Sequence, residues 1–552
     1  MKKLFLTLFI MLGMFYGTSQ TFTMVKDINP ESQYDFITHN ASFKEVNGKV
    51  YYIFYQTPSY KKGLYVSDGT EAGTYKITPD DVEVVSKILT TGGNKVYFFA
   101  KDSHGIEPWV YNTVTQSAYM IKEIIPSSVS NSQAEYAKFF SADDNKAYFY
   151  CTDGVNGFEI WVTDGTEAGT YMVKDISQGS ASTSIYTEVP VYGNNMRDGK
   201  FYFFCYTQAS GYEPWVSDGT DAGTFMLADI SPGMGPSASS STHNQFYEYN
   251  GAMYFFASQF NSYKYDLYKT DGTQEGTELV YNNIEANNHI KNIFEKDGLL
   301  YFITTNNTPK LWLSDGTSSG TQLVSTFPSE YNFNTIHFHP IVVDGTIYIR
   351  LKHVNTGYEL YKLDSQYMPV LVKDINVGTS NGLTADHYDD SKVLQSYDNK
   401  VWFIGRAVSS DYSQIWVSDG TESGTQNVTL SLGGYPGNMD DYNLFASSFG
   451  VFCIYVKMGV SGSELYFYSN GSMSNNDFTK ISEIKLFPNP TSSVLNFSET
   501  LNNIEIYSLD GKKILTKKSS ESIDVQNLTK GIYIIKAQNL NGNIINNKFF
   551  KN

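Results

Sequence analysis

Short apolar runs recur along the chain, and segments rich in Gly, Asp, Asn and Ser separate them. Lys95–Ala100 (KVYFFA) and Ala252–Ala257 (AMYFFA) are two of these runs, and both contain the aromatic residues that favour strands. The repeated part of the chain contains no convincing amphipathic stretch with the periodicity of a helix. The pattern therefore predicts an all-β fold.

Each period of the pattern contains four runs, which we label A, B, C and D in chain order. In the first period they are Phe43–Val46, Val50–Tyr55, Leu64–Ser67 and Thr74–Ile77. Short segments of turn-forming residues join the runs, as expected for consecutive antiparallel strands. Each period therefore predicts one four-stranded sheet.

An aromatic residue in the C run marks each period. The nine markers are Tyr65, Trp109, Trp161, Trp215, Tyr268, Trp312, Tyr361, Trp416 and Tyr466. They lie about 50 residues apart, the repeat length of kelch-like propeller blades. We therefore predict a β-propeller of about nine four-stranded units. Because propellers usually have about four to eight blades, an eight-bladed ring with one extra unit is the alternative.

The two ends of the repeated region complement each other. Thr21–Ile28 (TFTMVKDI) matches the D runs of later units but precedes the first A run. The ninth unit has A, B and C runs and then continues into Ser/Asn-rich sequence without a D run. A displaced first strand that completes the last sheet would close a ring and remove an open sheet edge.

A seven-residue motif, D-G-T-x-x-G-T, joins the C and D runs in six units: Asp68–Thr74, Asp164–Thr170, Asp218–Thr224, Asp271–Thr277, Asp315–Thr321 and Asp419–Thr425. An Asp side chain can accept backbone N–H bonds two residues on, and Gly accepts a positive φ, so the motif predicts a hairpin. A calcium loop or a catalytic Asp is the alternative. The motif lacks the alternating Asp series of calcium loops, which favours the structural interpretation.

With the strands that flank it, this motif resembles the ELWxxDGTxxGT repeats of secreted bacterial surface proteins. The resemblance covers Thr21 to Tyr468 and is interrupted at Asn112–Ser117 (NTVTQS) and at Asp364–Pro369 (DSQYMP). It implies a repeat architecture and no particular activity. The turn is also similar to the Asp-box hairpin of sialidase-type propellers, an analogy at the level of fold alone.

Two sets of carboxylates repeat with the units. One precedes the aromatic marker: Glu107, Glu159, Glu213, Glu359 and Glu464. The other ends the D run: Asp27, Glu123, Asp175, Asp229 and Asp374. Such rings could bind cations or polarise a sugar. We expect instead that each carboxylate bonds to backbone of its own unit or to a nearby lysine, of which Lys26, Lys122, Lys174 and Lys373 are the candidates.

Three cysteines in 552 residues exclude a disulfide framework. Cys151 and Cys205 occupy equivalent B-run positions where other units have small residues, so we expect both to be packing residues, and nothing marks Cys453 as reactive. His337 and His339 alternate along one run and could share a metal ion, but no third ligand is apparent. No H-E-x-x-H, P-loop or dinucleotide-binding glycine motif appears. We therefore assign no catalytic, cofactor-binding or metal-binding residue.

The first residues predict export. Two lysines, an apolar run from Leu4 to Tyr16 and small residues up to Ser19 have the order of a secretory signal peptide, so we expect residues 1–19 to be removed. No other stretch is long and apolar enough to suggest a transmembrane segment. The net charge of −17 argues against a nucleic-acid partner, because nucleic acids bind positive surfaces.

The C-terminal segment differs from the repeats in charge. After a Ser/Asn-rich linker at 469–483, residues 484–552 carry nine Lys against five acidic residues. Leu486–Pro490 (LFPNP), the hairpin turn Asp510–Lys512 and Gly531–Ala537 (GIYIIKA) resemble, in this order, the type A C-terminal sorting domain of the type IX secretion system of Bacteroidota. The alternation of its strands predicts a small β-sandwich. The resemblance implies recognition by the outer-membrane translocon, followed by release or attachment at the cell surface.

We therefore expect residues 20–468 to form a secreted or surface-attached propeller that binds an extracellular polysaccharide or protein and is not an enzyme. Loops that break the repeat, such as Tyr186–Arg197 and Gly433–Asp441, are the predicted sites of specificity. The alternatives are a carbohydrate-active enzyme with a site at the propeller axis and a structural surface-layer component.

Overall fold

A computed structural model of the chain describes most of the repeated region and most of the C-terminal segment. The described residues are 22–28, 42–56, 61–90, 93–126, 129, 134–186, 195–233, 246–259, 262, 264–285, 290–304, 308–332, 340–383, 393–408, 413–429, 444–456, 463–469, 486–487, 491–508, 513–538 and 544–551. The chain divides into two compact units, residues 1–470 and residues 471–552.

Apart from helical assignments at Ala134 and Thr429, the regular elements of the described residues are strands, and none of these residues forms a helix that could cross a membrane. The strands of the first half are β1 (Thr23–Lys26), β2 (Lys44–Val46), β3 (Lys49–Gln56), β4 (Lys61–Ser67), β5 (Tyr75–Lys76), β6 (Glu83–Val84), β7 (Leu89–Thr90), β8 (Lys95–Asp102), β9 (Gly105–Asn112), β10 (Ser117–Met120), β11 (Lys138–Ala142), β12 (Ala147–Thr152), β13 (Phe158–Thr163), β14 (Tyr171–Lys174), β15 (Ser184–Tyr186), β16 (Met196–Arg197), β17 (Lys200–Thr207), β18 (Gly211–Ser217), β19 (Phe225–Met226), β20 (Tyr247–Tyr249), β21 (Ala252–Ala257), β22 (Lys264–Thr270) and β23 (Glu278–Glu285).

The strands of the second half are β24 (Ile290–Lys296), β25 (Leu299–Thr304), β26 (Lys310–Ser314), β27 (Gln322–Thr326), β28 (Tyr331–Asn332), β29 (Ile341–Val343), β30 (Thr346–His353), β31 (Gly357–Leu363), β32 (Pro369–Lys373), β33 (Leu394–Tyr397), β34 (Lys400–Gly405), β35 (Gln414–Ser418), β36 (Gln426–Asn427), β37 (Leu444–Ala446), β38 (Val451–Val456), β39 (Ser463–Tyr468), β40 (Leu486–Phe487), β41 (Val494–Ser508), β42 (Lys513–Asp524), β43 (Gly531–Gln538) and β44 (Ile544–Lys551).

Within the described part of residues 1–470, the strands form nine antiparallel sheets, and strands that follow one another in the chain are neighbours in a sheet. In order, the sheets are β2–β5, β6–β10, β11–β14, β15–β19, β20–β23, β24–β27, β28–β32, β33–β36, and β37–β39 with β1. Three of these sheets have five strands because their A strand is divided into two short strands, both of which pair with the same edge of the B strand. We refer to the nine sheets as units 1 to 9. The prediction of an all-β fold built from four-stranded antiparallel sheets is confirmed.

Local sequence explains the tight turns between A and B strands. Asn47-Gly48 in unit 1 and Asp198-Gly199 in unit 4 have positive φ at both central residues. Two consecutive positive φ values define the hairpin turn whose twist matches that of the flanking strands, and Asn-Gly or Asp-Gly adopts it at low cost. These turns therefore hold the A and B strands in register.

The B strands are buried on both faces, which explains why they are nearly continuous apolar runs. In β8, Val96 and Phe98 pack into a core shared with unit 1, whereas Tyr97 and Phe99 pack into a core shared with unit 3. Alternating side chains of one strand therefore belong to two successive cores. This face-to-face packing of successive sheets is propeller-like.

The first and last strands of the repeated region are paired. Strand β1 runs antiparallel to β39, with Thr23 opposite Phe467, and Phe22 lies buried in the core shared by units 8 and 9. Unit 9 also contacts unit 1, because the Phe43 and Phe445 rings stack with centroids 5.6 Å apart.

The C-terminal unit has its own core. Its strands form one five-stranded sheet in the order β40-β41-β43-β44, with β42 paired to β41. The 15-residue strand β41 is irregular between Asn496 and Leu501, and a single core cluster includes Ile504, Ile506 and Ile535. The strands predicted for a small β-sandwich therefore belong to a single sheet built around one core.

Candidate functional site

The D-G-T-x-x-G-T turns are held by their own side chains. In Asp315–Thr321, Asp315 Oδ1 accepts hydrogen bonds from the backbone N–H of Thr317 at 2.8 Å and from its hydroxyl at 2.7 Å. The Thr317 hydroxyl oxygen accepts from the N–H of Gly320 at 3.0 Å. The bonds from Thr317 lower the pKa of Asp315 below its usual value. The other five turns repeat these contacts, so the Asp of the motif has a structural role.

Both glycines of the motif are required by geometry. Gly316 has φ +88°, and a Cβ on Gly320 would lie 2.1 Å from Cγ of Asp315. The first glycine therefore supplies the left-handed backbone, and the second leaves room for the carboxylate that organises the turn.

The turns also join neighbouring units. Lys122 Nζ of unit 2 donates to the carbonyl oxygen of Thr170 in unit 3 at 2.7 Å, and Lys174 does the same to Thr224 in unit 4 at 3.0 Å. Lys26 and Lys373 make equivalent bonds to Thr74 and Thr425 at 2.8 and 2.9 Å. These four lysines, named in the sequence as possible partners of the repeated carboxylates, thus bind the turn carbonyl of the next unit, and Lys174 also pairs with the Asp221 carboxylate of unit 4 at 3.0 Å.

The glutamates that precede the aromatic markers, which we term the strand-end glutamates, are fully buried: Glu107, Glu159, Glu213, Glu359 and Glu464. Glu107 accepts backbone N–H bonds from Ile124 at 2.8 Å and Ile125 at 3.0 Å, just beyond the D strand of the same unit. Glu464 accepts from the N–H of Ile28 at 2.6 Å, just beyond β1. The prediction that these carboxylates bond to backbone is confirmed.

Burial raises the pKa of three strand-end glutamates well above that of a free carboxyl, to about 8 for Glu107, about 7 for Glu159 and about 8 for Glu359. The backbone N–H donors favour the charged form, but desolvation is the larger effect. Asp175 and Asp374 at the D-strand ends accept from Gly179 and Gly378, respectively, at 3.1 and 3.2 Å.

The cysteines singled out in the sequence do not form a site in the described structure. All three cysteines are buried and free, and burial raises the pKa of the Cys151 and Cys453 thiols. His337 and His339 lie outside the described residues. Among the residues that are described, no three His, Cys, Asp or Glu side chains are grouped to hold a metal ion. The loop at 433–441 is also outside, and that at 186–197 is described only at its two ends.

A pocket of about 450 Å³ lies where the turn motif of unit 2 is replaced by N-T-V-T-Q-S, and we term it the polar pocket because most of its lining residues are polar. Its lining residues come from the A-to-B turn of unit 2, the replaced turn and the A-to-B turn of unit 3: Gly93, Asn94, Lys95, Asn112, Val114, Thr115 and Asp144. The interruption of the motif is the sequence signal for this pocket, but the sequence alone did not identify it as a site.

Hydrogen bonds organise the polar pocket. Asn112 Oδ1 accepts from the N–H groups of Val114 at 2.9 Å and Thr115 at 3.2 Å, in the manner of an Asx turn. Asn94 accepts at its carbonyl oxygen from the N–H of Thr113 at 2.8 Å. Lys95 Nζ donates to the carbonyl oxygen of Asp164 in unit 3. The pocket thus presents amide, hydroxyl and carboxylate groups, while the Val114 side chain is exposed.

Three tyrosines on the outermost strands of units 1 to 3 are exposed to solvent: Tyr75, Tyr119 and Tyr171. We term them the edge tyrosines. The Tyr119 hydroxyl donates to the carbonyl oxygen of Gly165 in the turn of unit 3 at 3.1 Å. This bond orients the ring at the boundary between two units and keeps part of it in water.

Residues 485–552 match the family model described as the secretion system C-terminal sorting domain. The sorting domain predicted from the sequence is therefore confirmed. A type IX sorting domain implies secretion of the chain and attachment at the cell surface. Comparison with curated proteins finds no match.

Several solved structures share a fold-level likeness with this chain. The computationally designed Ika8 protein is 12% identical over 71% of this chain and 99% of its own, with a TM-score of 0.39. A prolyl endopeptidase is 10% identical over 91% of this chain and 54% of its own, with a TM-score of 0.38. The β-propeller domain of the Trilobed protease from Pyrococcus furiosus is 14% identical over 60% of this chain and 96% of its own, with a TM-score of 0.31. At these scores the likeness is no evidence for an activity of this chain.

Proposed function

We propose that the protein is a surface-displayed, non-enzymatic β-propeller that binds an extracellular polysaccharide through the polar pocket and the edge tyrosines of units 1 to 3. The observation that carries this proposal is the position of the polar pocket, at an interruption of an otherwise repeated turn. A repeated turn stabilises every unit alike, whereas a replaced turn creates a surface that its neighbours do not have.

The proposal includes a closed ring of nine blades. Its support is the contact between the ends of the array: β1 pairs with β39, Lys26 bonds to the unit 1 turn, and Glu45 of unit 1 accepts from the N–H of Ser448 in unit 9 at 2.8 Å. These are the kinds of contact that join successive units elsewhere. A closed ring would hold the binding surface rigidly without leaving an open sheet end.

The chemistry of the surface favours a sugar polymer. Sugar hydroxyls both donate and accept hydrogen bonds; the amide nitrogens of Asn94 and Asn112 can donate to them, and the Asp144 carboxylate can accept from them. Tyrosine rings offer an apolar face with a polar end, and they lose little entropy on binding. Because the edge tyrosines occupy three successive units, they suit an extended chain better than a single small molecule.

The proposal also covers the export of the chain and its division into domains. Residues 1–19 would direct the first export step, residues 20–468 would form the propeller of ELWxxDGTxxGT-type repeats, and 469–483 would link it to the sorting domain at 484–552. This combination is that of a surface protein of Bacteroidota. The translocon would be its partner during export, and the glycan its partner afterwards.

A glycan array probed with the purified full chain, followed by calorimetry on the retained polysaccharide, tests the binding role. The Tyr119→Ala/Tyr171→Ala variant should bind about tenfold more weakly, or about 1.4 kcal/mol. Val114→Arg, which fills the pocket without removing a turn hydrogen bond, should do likewise. Tyr206→Ala removes another exposed tyrosine outside the edge set and is the matched control. Retention of no glycan, or unchanged affinity in both site variants, would contradict the proposal.

A further inference from the structure

The sheet of the C-terminal unit exposes large apolar side chains on the face opposite its core. Ile532 of β43 lies directly opposite Phe550 of β44, and the two side chains are 37% and 47% exposed. Their chain neighbours Tyr533 and Phe549 are buried and stack with centroids 5.6 Å apart. Because side chains alternate between the faces of a strand, Ile532 and Phe550 are held on the outer face by the same pairing that buries their neighbours.

The exposed pair continues into the start of β41. The N–H of Thr491 donates to the carbonyl oxygen of Phe550 at 2.8 Å, and the Thr491 hydroxyl donates to the carbonyl oxygen of Val494 at 2.7 Å. Val494 is itself exposed. We name Val494, Ile532 and Phe550 the outer patch.

Positive charge lies on the same side of the sheet. Lys536 is four residues beyond Ile532 on β43, therefore on the same face, and its side chain is exposed. It lies opposite Glu505 of β41, whose carboxylate is bonded to Lys513 at 2.6 Å. Glu505 therefore lies between two lysines, Lys513 and Lys536, so this group of three side chains carries a net charge of +1, in a segment with nine Lys against five acidic residues.

We infer that the outer patch and Lys536 form the surface by which the sorting domain docks on the secretion machinery, on a component that presents an apolar surface bordered by carboxylates. A sorting domain must be recognised by a partner during export, and a cluster of exposed apolar side chains is a common mark of such a contact. The positive charge of Lys536 on the same face as the outer patch favours a partner surface that carries negative charge.

The test follows export of the full-length chain in a bacterium that has a type IX secretion system. Ile532→Ser/Phe550→Ser should lower the surface-displayed fraction about tenfold, the kind of loss produced by truncating interface anchors, with the chain accumulating in the periplasm. Leu279→Ser/Leu323→Ser, which removes two similarly exposed side chains from units 5 and 6, is the matched control and should be exported normally. Normal export of the patch variant would overturn the inference.

The charge is tested separately with variants that do not threaten the core. Lys536→Gln should reduce surface display and Lys536→Arg should preserve it, while the thermal unfolding of both purified chains stays close to that of the wild type. If Lys536→Gln is exported normally, the acidic border assigned to the partner is wrong.

A photo-reactive residue at position 550 identifies the occupant of the patch. Cross-linking to an outer-membrane component of the secretion system during export supports the inference, whereas the same probe at position 279 should not react with it. Cross-linking only to a second copy of the chain, or only to the repeated units of the same chain, would overturn it. Because glycan binding does not enter these measurements, they stand or fail independently of the proposed function.

Discussion

In units 6 and 8 the first glycine of the turn motif meets two demands, one from its own backbone and one from the preceding unit. Gly316 has φ +88°, and a Cβ built on it would lie 2.3 Å from the hydroxyl oxygen of Tyr254 in unit 5. Gly420 is similarly close to Tyr348 of unit 7. The B-strand tyrosine of one unit therefore packs directly on the turn of the next.

We predict that Gly316→Ala destabilises the chain by about 1–3 kcal/mol through backbone strain, and further through the clash with Tyr254. Gly345→Ala is the matched control, because Gly345 also has positive φ (+69°) but has open space where the Cβ would be. It should lose only the strain contribution. Urea denaturation of both variants measures the difference.

A second substitution separates the two effects. Removing the hydroxyl with Tyr254→Phe should restore part of the stability lost in Gly316→Ala. Equal losses for the two glycine variants, with no restoration in the double variant, would show that the tyrosine does not press on the turn.

Single residues also explain why the cysteines need no partner. Cys151 and Cys205 are buried at equivalent positions of β12 and β17, as their small neighbours in the repeat predicted. At the same register units 1 and 7 have the buried residues Phe54 and Leu351, so the position holds a small side chain in several units without requiring one in all.

At the scale of the strands, the strand-end glutamates of five units bind the backbone just beyond the D strand and so attach it to the neighbouring C strand. Strand β19, for example, has two residues, and Glu213 accepts from the N–H groups of Ile230 and Ser231 at 2.9 and 3.0 Å beyond it. Because such a short strand makes few backbone hydrogen bonds to its neighbour, the bonds to the buried carboxylate provide much of the interaction that holds it in the sheet.

These glutamates predict a particular dependence of stability on pH. The folded pKa values of Glu107, Glu159 and Glu359 are raised to about 8, 7 and 8, so the folded chain retains protons that the unfolded chain releases above its ordinary carboxyl pKa. The free energy of unfolding should therefore fall as pH rises from about 4.5 to about 8. Turn aspartates such as Asp315, whose pKa is lowered, act in the opposite sense and stabilise the fold only above their unfolded pKa, so their contribution is lost on acidification.

Thermal unfolding of the full chain across this pH range provides the measurement, and the melting temperature should be highest near pH 5. In the Glu107→Gln/Glu359→Gln variant, which keeps a side-chain oxygen acceptor at both sites, the decline toward pH 8 should be smaller. A melting temperature that rises steadily between pH 5 and pH 8 in the wild type would contradict the assignment.

At the scale of the whole repeated region, β1 replaces the missing fourth strand of unit 9. It supplies the same two contacts as an ordinary D strand: a lysine, Lys26, bonded to the next turn, and a backbone N–H, that of Ile28, bonded to the strand-end glutamate Glu464. The contact between the chain ends is thus the same as the contacts that the chain makes at and just beyond the D strands of units 2, 3 and 7.

We predict that deleting residues 20–28, with residues 1–19 also absent, lowers the melting temperature and causes aggregation, because β39 would then present an open edge. The chain lacking only residues 1–19 is the control. Light scattering and calorimetry make the comparison. A closed ring predicts in addition that Glu464→Ala costs as much stability as Glu213→Ala, whereas an open array predicts a smaller cost at Glu464.

The sequence determined by itself those features that depend on neighbours in the chain. The Asp and Thr of each turn bond within four residues of one another, the A-to-B turns need only two residues with positive φ, and the apolar runs specify strands. The order of motifs in the last 68 residues, 485–552, was likewise sufficient to identify the sorting domain.

Only the tertiary structure decided which distant groups meet. Lys122 lies close to Glu123 in the chain yet bonds to Thr170, 48 residues away, because the turn of the next unit packs against its strand. The polar pocket forms for the same reason: the replaced turn beginning at Asn112 meets the A-to-B turn at Asp144 of the following unit. A periodic sequence specifies each unit separately, but the packing of one unit on the next determines where its unsatisfied polar groups find partners.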